Sequence, residues 1–253
     1  MTHTLEKQAR ELKEQGYTIV ENVLNRTEIE AANAVLEAIF EREKEIGPLR
    51  NWHNNSYKVS YMLPQKDPLF LQFPFNPRVL PLMQHLLGER CVLGSLNGLS
   101  MTPGGQGQQL HLDQPETIPD TVLYINALHT LDDFTRENGC TRVVPGSQNR
   151  PMPQGAEREN IEAEAVYLEA PAGSLIAFNG GLWHAGSQNK TNKPRRAIHA
   201  FYHRSWVQPQ WDYPRSLSAE VVESMTDEQK RLFGFRARPK WYDWQSDEIK
   251  QDR

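Results

Sequence analysis

Cysteine is almost missing: Cys91 and Cys140 are the only two in 253 residues. No disulfide framework can hold such a chain, so a reducing setting is expected, with each thiol a small core filler. There is no excess of positive charge either. Against 32 acidic residues stand 28 lysines and arginines, a formal net charge of −4, which gives no general attraction to nucleic acid or to an anionic membrane. No apolar run reaches signal-peptide or membrane-spanning length, and the N-terminus is polar and charged. A cytoplasmic protein with no membrane and no nucleic-acid partner is therefore expected. Internal repeats and low-complexity tracts are absent as well. What is present is a hydrophobic content of 38%, enough for a core, in a length that one large domain can account for.

The patterns predict helices first and strands afterwards. Residues 4–15 read as a short polar helix ending before Gly16, and Tyr17 to Val20 as a first strand. Thr27, with Glu30 three residues on, forms a capping-box pattern. Ile29, Ala32, Ala34, Val35, Leu36, Ile39 and Phe40 then keep a helical apolar stripe up to Gly47-Pro48. A strand through Lys58–Leu63 and a helix over 77–87, closed by Gly88, follow. From Cys91 onward the runs 91–102, 108–114, 121–129, 141–144, 165–169, 174–179 and 195–204 have β character. Turn clusters such as Pro103-Gly104-Gly105 and Pro145-Gly146-Ser147 divide them.

Many short strands with glycine-rich turns predict a mainly β fold with flanking helices. Its core is expected to be a double-stranded β-helix, the jelly roll, which hides sheet edges. The expected layout is one domain over 1–253: a helical cover to about 90, the jelly roll over about 91–206, and a helical tail over about 207–253. In that tail Thr226 and Gln229 form another capping box, and Trp206, Trp211, Trp241 and Trp244 are expected to pin it to the body. The polar segment 147–163 reads as a mobile surface loop or lid.

Within the run 108–114, His111 and Asp113 stand two residues apart. On a strand such residues share a face, so an imidazole and a carboxylate project to one point. That is two thirds of the two-histidine, one-carboxylate set that holds a ferrous ion and leaves three positions open. A third ligand is available in His184, which follows Trp183 after an apolar strand and a glycine turn. A His-x-Asp pair alone also arises by chance, so the weight lies on the combination. Arg195 adds to it: an arginine facing into a barrel is costly unless it meets an anion, and a dicarboxylate reaching from the iron to a guanidinium would match 2-oxoglutarate. Arg196, one residue on, should face the other way.

Taken in order, His111-x-Asp113, Glu137-Asn138-Gly139-Cys140-Thr141 running into Pro145-Gly146-Ser147, Trp183-His184 and Pro194-Arg195 resemble the phytanoyl-CoA dioxygenase (PhyH) family of Fe(II)/2-oxoglutarate oxygenases. The resemblance spans about residues 15 to 240 and includes the tail pattern Thr226 to Gly234. It implies His111, Asp113 and His184 as metal ligands and Arg195 as the site of the distal carboxylate of 2-oxoglutarate. It also implies co-substrate contacts from Gln108 and Thr141, both of which could instead satisfy backbone groups at strand ends. Two departures stand out. His129 falls near a position where several relatives carry tryptophan, which would make a histidine part of the co-substrate wall, and Gly186 stands where some relatives place serine.

The implied activity is a dioxygenase that uses Fe(II), 2-oxoglutarate and O2 to hydroxylate an unactivated C–H bond of a small molecule or specialised metabolite. Succinate and CO2 would be released. The carboxylate of Asp113 argues against halogenation, since related halogenases replace it with a small residue. An acyl-CoA 2-hydroxylase is the alternative within the family, though basic residues are concentrated only at Arg195-Arg196 and over 231–240. A jelly-roll protein that binds metal or ligand without turnover is the alternative outside it. The substrate pocket is expected from residues 50–75 and 147–163, with polar contacts from the segment holding Asn51, Trp52, Asn54, Lys58 and Tyr61. His199 and His203 share the alternation of Arg195 and are read as structural. A homodimer is compatible with the sequence and is not required by it.

Overall fold

Two helices, α1 (Thr2–Glu14) and α2 (Arg26–Ile46), lead into the sheet strands. The stripe on α2 works as its spacing dictates: Ala32, Leu36, Ile39 and Phe40 are all buried. Its start differs from expectation. The Asn25 side chain accepts from the Glu28 N–H at 3.0 Å, and the Glu28 carboxylate accepts from the Asn25 N–H at 2.7 Å. This reciprocal cap lies two residues before the Thr27/Glu30 pattern, because an earlier asparagine satisfies the orphan N–H groups equally well and Thr27 is already inside the helix. The computed structural model describes residues 2–46, 50–52, 55–114, 116–154, 160–237 and 241–250, so the expected stop at Gly47-Pro48 lies outside the described residues.

The strands are β1 (Tyr17–Val20), β2 (Arg50–Trp52), β3 (Tyr57–Ser60), β4 (Val92–Met101), β5 (Tyr124–Thr130), β6 (Thr141–Val143), β7 (Val166–Leu168), β8 (Leu175–Asn179), β9 (His184–Gly186) and β10 (Arg195–His203). A sheet of seven has the order β1-β8-β5-β10-β4-β3-β2, and a smaller sheet of three has the order β7-β6-β9. Every pairing in both is antiparallel. The two sheets with their flanking helices form the expected double-stranded β-helix. The expected runs become β4, β5, β6, β7, β8 and β10. The run 108–114 does not become a regular strand. His111 makes a single antiparallel bridge to His184, after which the chain turns so that Asp113 N–H donates to Gly180 O at 3.1 Å.

Strands β5 and β8 are buried along their whole length, because both faces of the large sheet are covered. Ile125, Ala127, Ala177, Ile198 and Ala200 pack with α1, α2 and the helix Leu80–Leu87. The other face carries Leu128, Ile176, Phe178 and Ala197 against Val143 and Leu168 of the small sheet. Burying each large apolar side chain contributes about 1.5–3 kcal/mol. Gly98 of β4 permits the close seating of α2: a Cβ there would lie 2.3 Å from Leu36 Cδ1.

The capping box of Thr226 and Gln229 forms as expected and opens the helix Asp227–Leu232. The tryptophans do not all anchor the tail. Trp211 meets Tyr61 edge-on at 5.0 Å and donates to Asn97 Oδ1 at 3.1 Å, whereas Trp206 and Trp244 are exposed; the Trp241 side chain lies outside the described residues. Nor does segment 147–163 begin as a loose lid. Ser147 is buried and its hydroxyl accepts from Trp183 N–H at 2.8 Å, while Gln148 donates to Lys13 O at 3.2 Å. Residues 155–159 of that segment lie outside the described residues. Among the described residues no helix is long and apolar enough to cross a membrane.

Candidate active site

The bridge between His111 and His184 fixes two imidazoles side by side, with ring centroids 4.4 Å apart. Each ring is oriented by its own backbone. His111 Nδ1 lies 2.9 Å from Gln109 O, and His184 Nδ1 lies 2.9 Å from Leu182 O. A carbonyl oxygen only accepts, so both protons sit on Nδ1 and both Nε2 atoms present lone pairs. The Asp113 carboxylate faces them, with Oδ1 3.8 Å from His111 Nε2 and Oδ2 3.7 Å from His184 Nε2. The three ligand atoms lie within 4.8 Å of one another, a group able to hold one metal ion. Burial raises the Asp113 pKa, but His184, His111, His199 and a hydrogen bond from Asn126 more than offset it, and the carboxyl is held below its ordinary range.

A second layer orients that carboxylate. Asn126 of β5 donates from Nδ2 to Asp113 Oδ2 at 2.6 Å, and its Oδ1 lies 3.0 Å from His199 Nε2 on β10. His199 must therefore carry its proton on Nε2. Burial pushes the His199 pKa down to about 4, with Asp113 acting against that shift, so the ring is neutral near pH 7. Beside these groups a cavity of about 640 Å³ opens between the inward rows of β4, β5 and β10 and the segment 207–210. Its accessible wall includes Leu99, Phe201 and Val207. Among the described residues that line it, Asp113 is the only formally charged one. This is not the pocket expected from 50–75 and 147–163. Asn51 and Trp52 side chains and Asn54 lie outside the described residues, Tyr61 packs on Trp211, and His199 lines the cavity rather than serving only structure. His203 is buried and stacked on Phe201 at 5.3 Å, and it lines the neighbouring cavity rather than this one.

Arg195 lies four residues before His199 on the same face of β10, roughly 13 Å along the strand. It is 5% exposed. Its guanidinium sits 4.1 Å from the Phe134 ring centroid and 3.7 Å from Met101 Sδ, and Nε has no hydrogen-bond partner. Among the described residues no carboxylate forms an ion pair with it. Burial lowers its pKa, against the raising effects of Tyr57, Cys140 and Asp132. Arg196 faces the opposite side as expected and is paired with Asp132 at 2.7 Å and Glu37 at 3.2 Å. The small sheet places Thr141 opposite Gly186, and Gln108 Oε1 accepts from Gly186 N–H at 2.9 Å.

His129 is not brought to this site. Alternation along β5 sends Leu128 to the site side and His129 to the helix-covered side, where its ring meets Phe73 edge-on at 4.8 Å. Burial, then His199, lowers its pKa to about 3, and neither ring nitrogen has a hydrogen-bond partner. A neighbour in sequence sits on the opposite face of a strand, so an alignment slip of one residue changes the role completely. Sequence reasoning missed Asn126 and the segment 207–210. Only the alternation of Asn126 with Tyr124 and Leu128 could have flagged the first.

A jelly roll holding two histidines and a carboxylate about one point defines a metal-dependent oxidoreductase. The donor set suits Fe(II), and the buried arginine with an orphaned Nε suits a dicarboxylate co-substrate, 2-oxoglutarate. The chain belongs to the phytanoyl-CoA dioxygenase (PhyH) family, whose model matches residues 12–197. It is 31% identical over 231 residues to the uncharacterized protein Rv1501 of Mycobacterium tuberculosis, covering 88% of this chain and 84% of that one. It is 30% identical to dioxygenase af480 of Aspergillus fumigatus, covering 92% and 77%. Among solved structures it is similar in fold to the non-heme alpha ketoglutarate dependent epimerase SnoN from nogalamycin biosynthesis, with a TM-score of 0.70, 21% identity and coverage of 90% and 93%. The carbocyclase SnoK of the same biosynthesis matches with a TM-score of 0.68, 23% identity and coverage of 79% and 84%.

Proposed function

We propose that this chain is a non-haem Fe(II)- and 2-oxoglutarate-dependent dioxygenase that hydroxylates an unactivated C–H bond of an uncharged small molecule, with release of succinate and CO2. The observation that carries the reading is the convergence of His111 Nε2, His184 Nε2 and the Asp113 carboxylate beside a cavity. In this reading those three groups hold the iron. Arg195 takes the distal carboxylate of 2-oxoglutarate, with Gln108 and Thr141 beside it. The iron with its co-substrate supplies the oxidising power that C–H cleavage needs.

The chain's own part is orientation and exclusion. Gln109 and Leu182 carbonyls lock the imidazole tautomers, and Asn126 holds the carboxylate in one rotation. The aromatic and aliphatic wall of the cavity, with Phe201 and Leu99, offers the bond to be oxidised an apolar surface. An uncharged substrate is favoured because the described residues of the wall offer no lysine, arginine or second carboxylate to meet a charge, and His199 stays neutral. An acyl-CoA would need basic partners for its phosphates. Among the described residues the neighbouring cavity, which shares 207–210, is likewise lined by no lysine or arginine.

The test is anaerobic. Fe(II) followed by 2-oxoglutarate, added to metal-free protein, is expected to give a visible charge-transfer band that requires both and vanishes in His184→Ala and Asp113→Ala. Admission of O2 with a substrate is then expected to yield succinate and a product richer by one oxygen. Iron binding without the band would refute the co-substrate assignment. A product of unchanged mass would refute hydroxylation.

A further inference from the structure

Three antiparallel strands place Arg195 of β10, Met101 of β4 and Tyr57 of β3 abreast: Arg195 is paired with Met101, and Met101 with Tyr57. All three side chains are buried, and the Arg195 guanidinium lies 6.0 Å from the Tyr57 ring centroid. A guanidinium can only donate and a phenol hydroxyl can donate as well, so both groups can serve one anion. On the facing sheet the backbone has been kept bare to admit this hydroxyl. A Cβ on Gly186 would lie 2.0 Å from Tyr57 Oη and 3.1 Å from Gln108 Oε1, yet 3.3 Å from Tyr57 Cζ. It is thus the phenol oxygen, rather than the ring, that excludes a side chain at 186. Gly186 has a negative φ and so is not demanded by its backbone conformation. Its reason is the space that Tyr57 fills.

We propose that Tyr57 is a co-substrate-binding residue whose hydroxyl, together with Arg195, grips the distal carboxylate of 2-oxoglutarate, and that Gly186 is its steric counterpart. The inference rests on the function proposed above. A guanidinium flanked by a hydroxyl, in a cup walled by Phe134, selects a planar anion with several acceptor lone pairs, which is what a carboxylate is. The opposite keto-acid end of the co-substrate makes no use of this corner.

The experiment compares wild type, Tyr57→Phe, Gly186→Ser and the double variant by anaerobic titration of the charge-transfer band. 2-Oxoglutarate is the ligand, and 2-oxobutyrate, which lacks the distal carboxylate, is the control. Tyr57→Phe is expected to weaken 2-oxoglutarate about tenfold or more, as loss of a hydrogen bond to a charged group should, while leaving 2-oxobutyrate unchanged. Gly186→Ser alone should also weaken 2-oxoglutarate, because the new Cβ displaces the phenol. In the double variant the serine hydroxyl arises where the phenol oxygen was, and affinity should recover above either single variant. Unchanged 2-oxoglutarate affinity in Tyr57→Phe overturns the proposal, as does an equal loss for both ligands. A wild-type protein that shows no band with bound iron overturns instead the function on which it rests. Thermal melts of the metal-free variants identify any that fail to fold, and Tyr57→Phe, which removes one atom, decides the matter if the serine variants do.

Discussion

Replacing Asn126 by alanine should weaken metal binding without weakening the fold to the same degree. Its Nδ2 supplies the 2.6 Å bond to Asp113 Oδ2, and its Oδ1 is held by His199 Nε2 at 3.0 Å, so the amide cannot flip and its donor stays on the carboxylate. Alanine removes a hydrogen bond to a charged acceptor, for which about 1.5–3 kcal/mol is typical. It also leaves the carboxylate without a fixed rotation as it faces two imidazole nitrogens 3.7 and 3.8 Å away. Outer-layer partners of metal ligands cost about 10- to 100-fold in affinity when lost, which agrees with that energy. Calorimetric titration of metal-free protein with Mn(II) or anaerobic Fe(II) measures the change directly. His199→Ala, which releases the amide without deleting it, should give a smaller loss. An Asn126→Ala protein that melts like wild type and binds metal within about twofold of it would refute the idea that this pair orients the ligand.

Two further outcomes test the remaining structure. His129 and His199 have folded-state pKa values of about 3 and about 4, below the ordinary 6.5. The unfolded chain therefore binds more protons between those values and 6.5, and stability of the metal-free protein should fall as pH drops through that window, by up to about 1.4 kcal/mol per pH unit for each histidine. His129→Leu should flatten the slope in urea-unfolding experiments, leave 2-oxoglutarate affinity unchanged and cost little at neutral pH, since it removes two unpartnered buried nitrogens; a large loss of co-substrate affinity would return His129 to the site. Asn25→Ala should destabilise by about 0.5–2 kcal/mol through loss of the helix cap, and Thr27→Ala by clearly less, with the opposite ranking in thermal melts contradicting the observed cap.

The chemistry of the site was legible in the chain because it depends on residue types at short spacing. His111 and Asp113 two residues apart, a histidine after a glycine turn, and an arginine opening a strand each announce themselves locally. The same holds for the strand runs other than 108–114 and for the capping box at Thr226, since turn and cap signals act over three or four residues. Asn25 shows the limit even there: two capping pairs compete within six residues, and propensity alone does not choose between them. What the sequence alone determined was therefore which donors exist and the order in which they come. Tertiary structure decided which of them meet. The row Arg195-Met101-Tyr57 joins residues far apart in the chain through two strand pairings, and the layer Asp113-Asn126-His199 joins three elements. His129 is lost from the site by a one-residue alternation, and the cavity is closed by 207–210, a segment with no motif. Strand register and sheet order set those meetings, and both come from how long-range apolar faces pack, which no local pattern encodes.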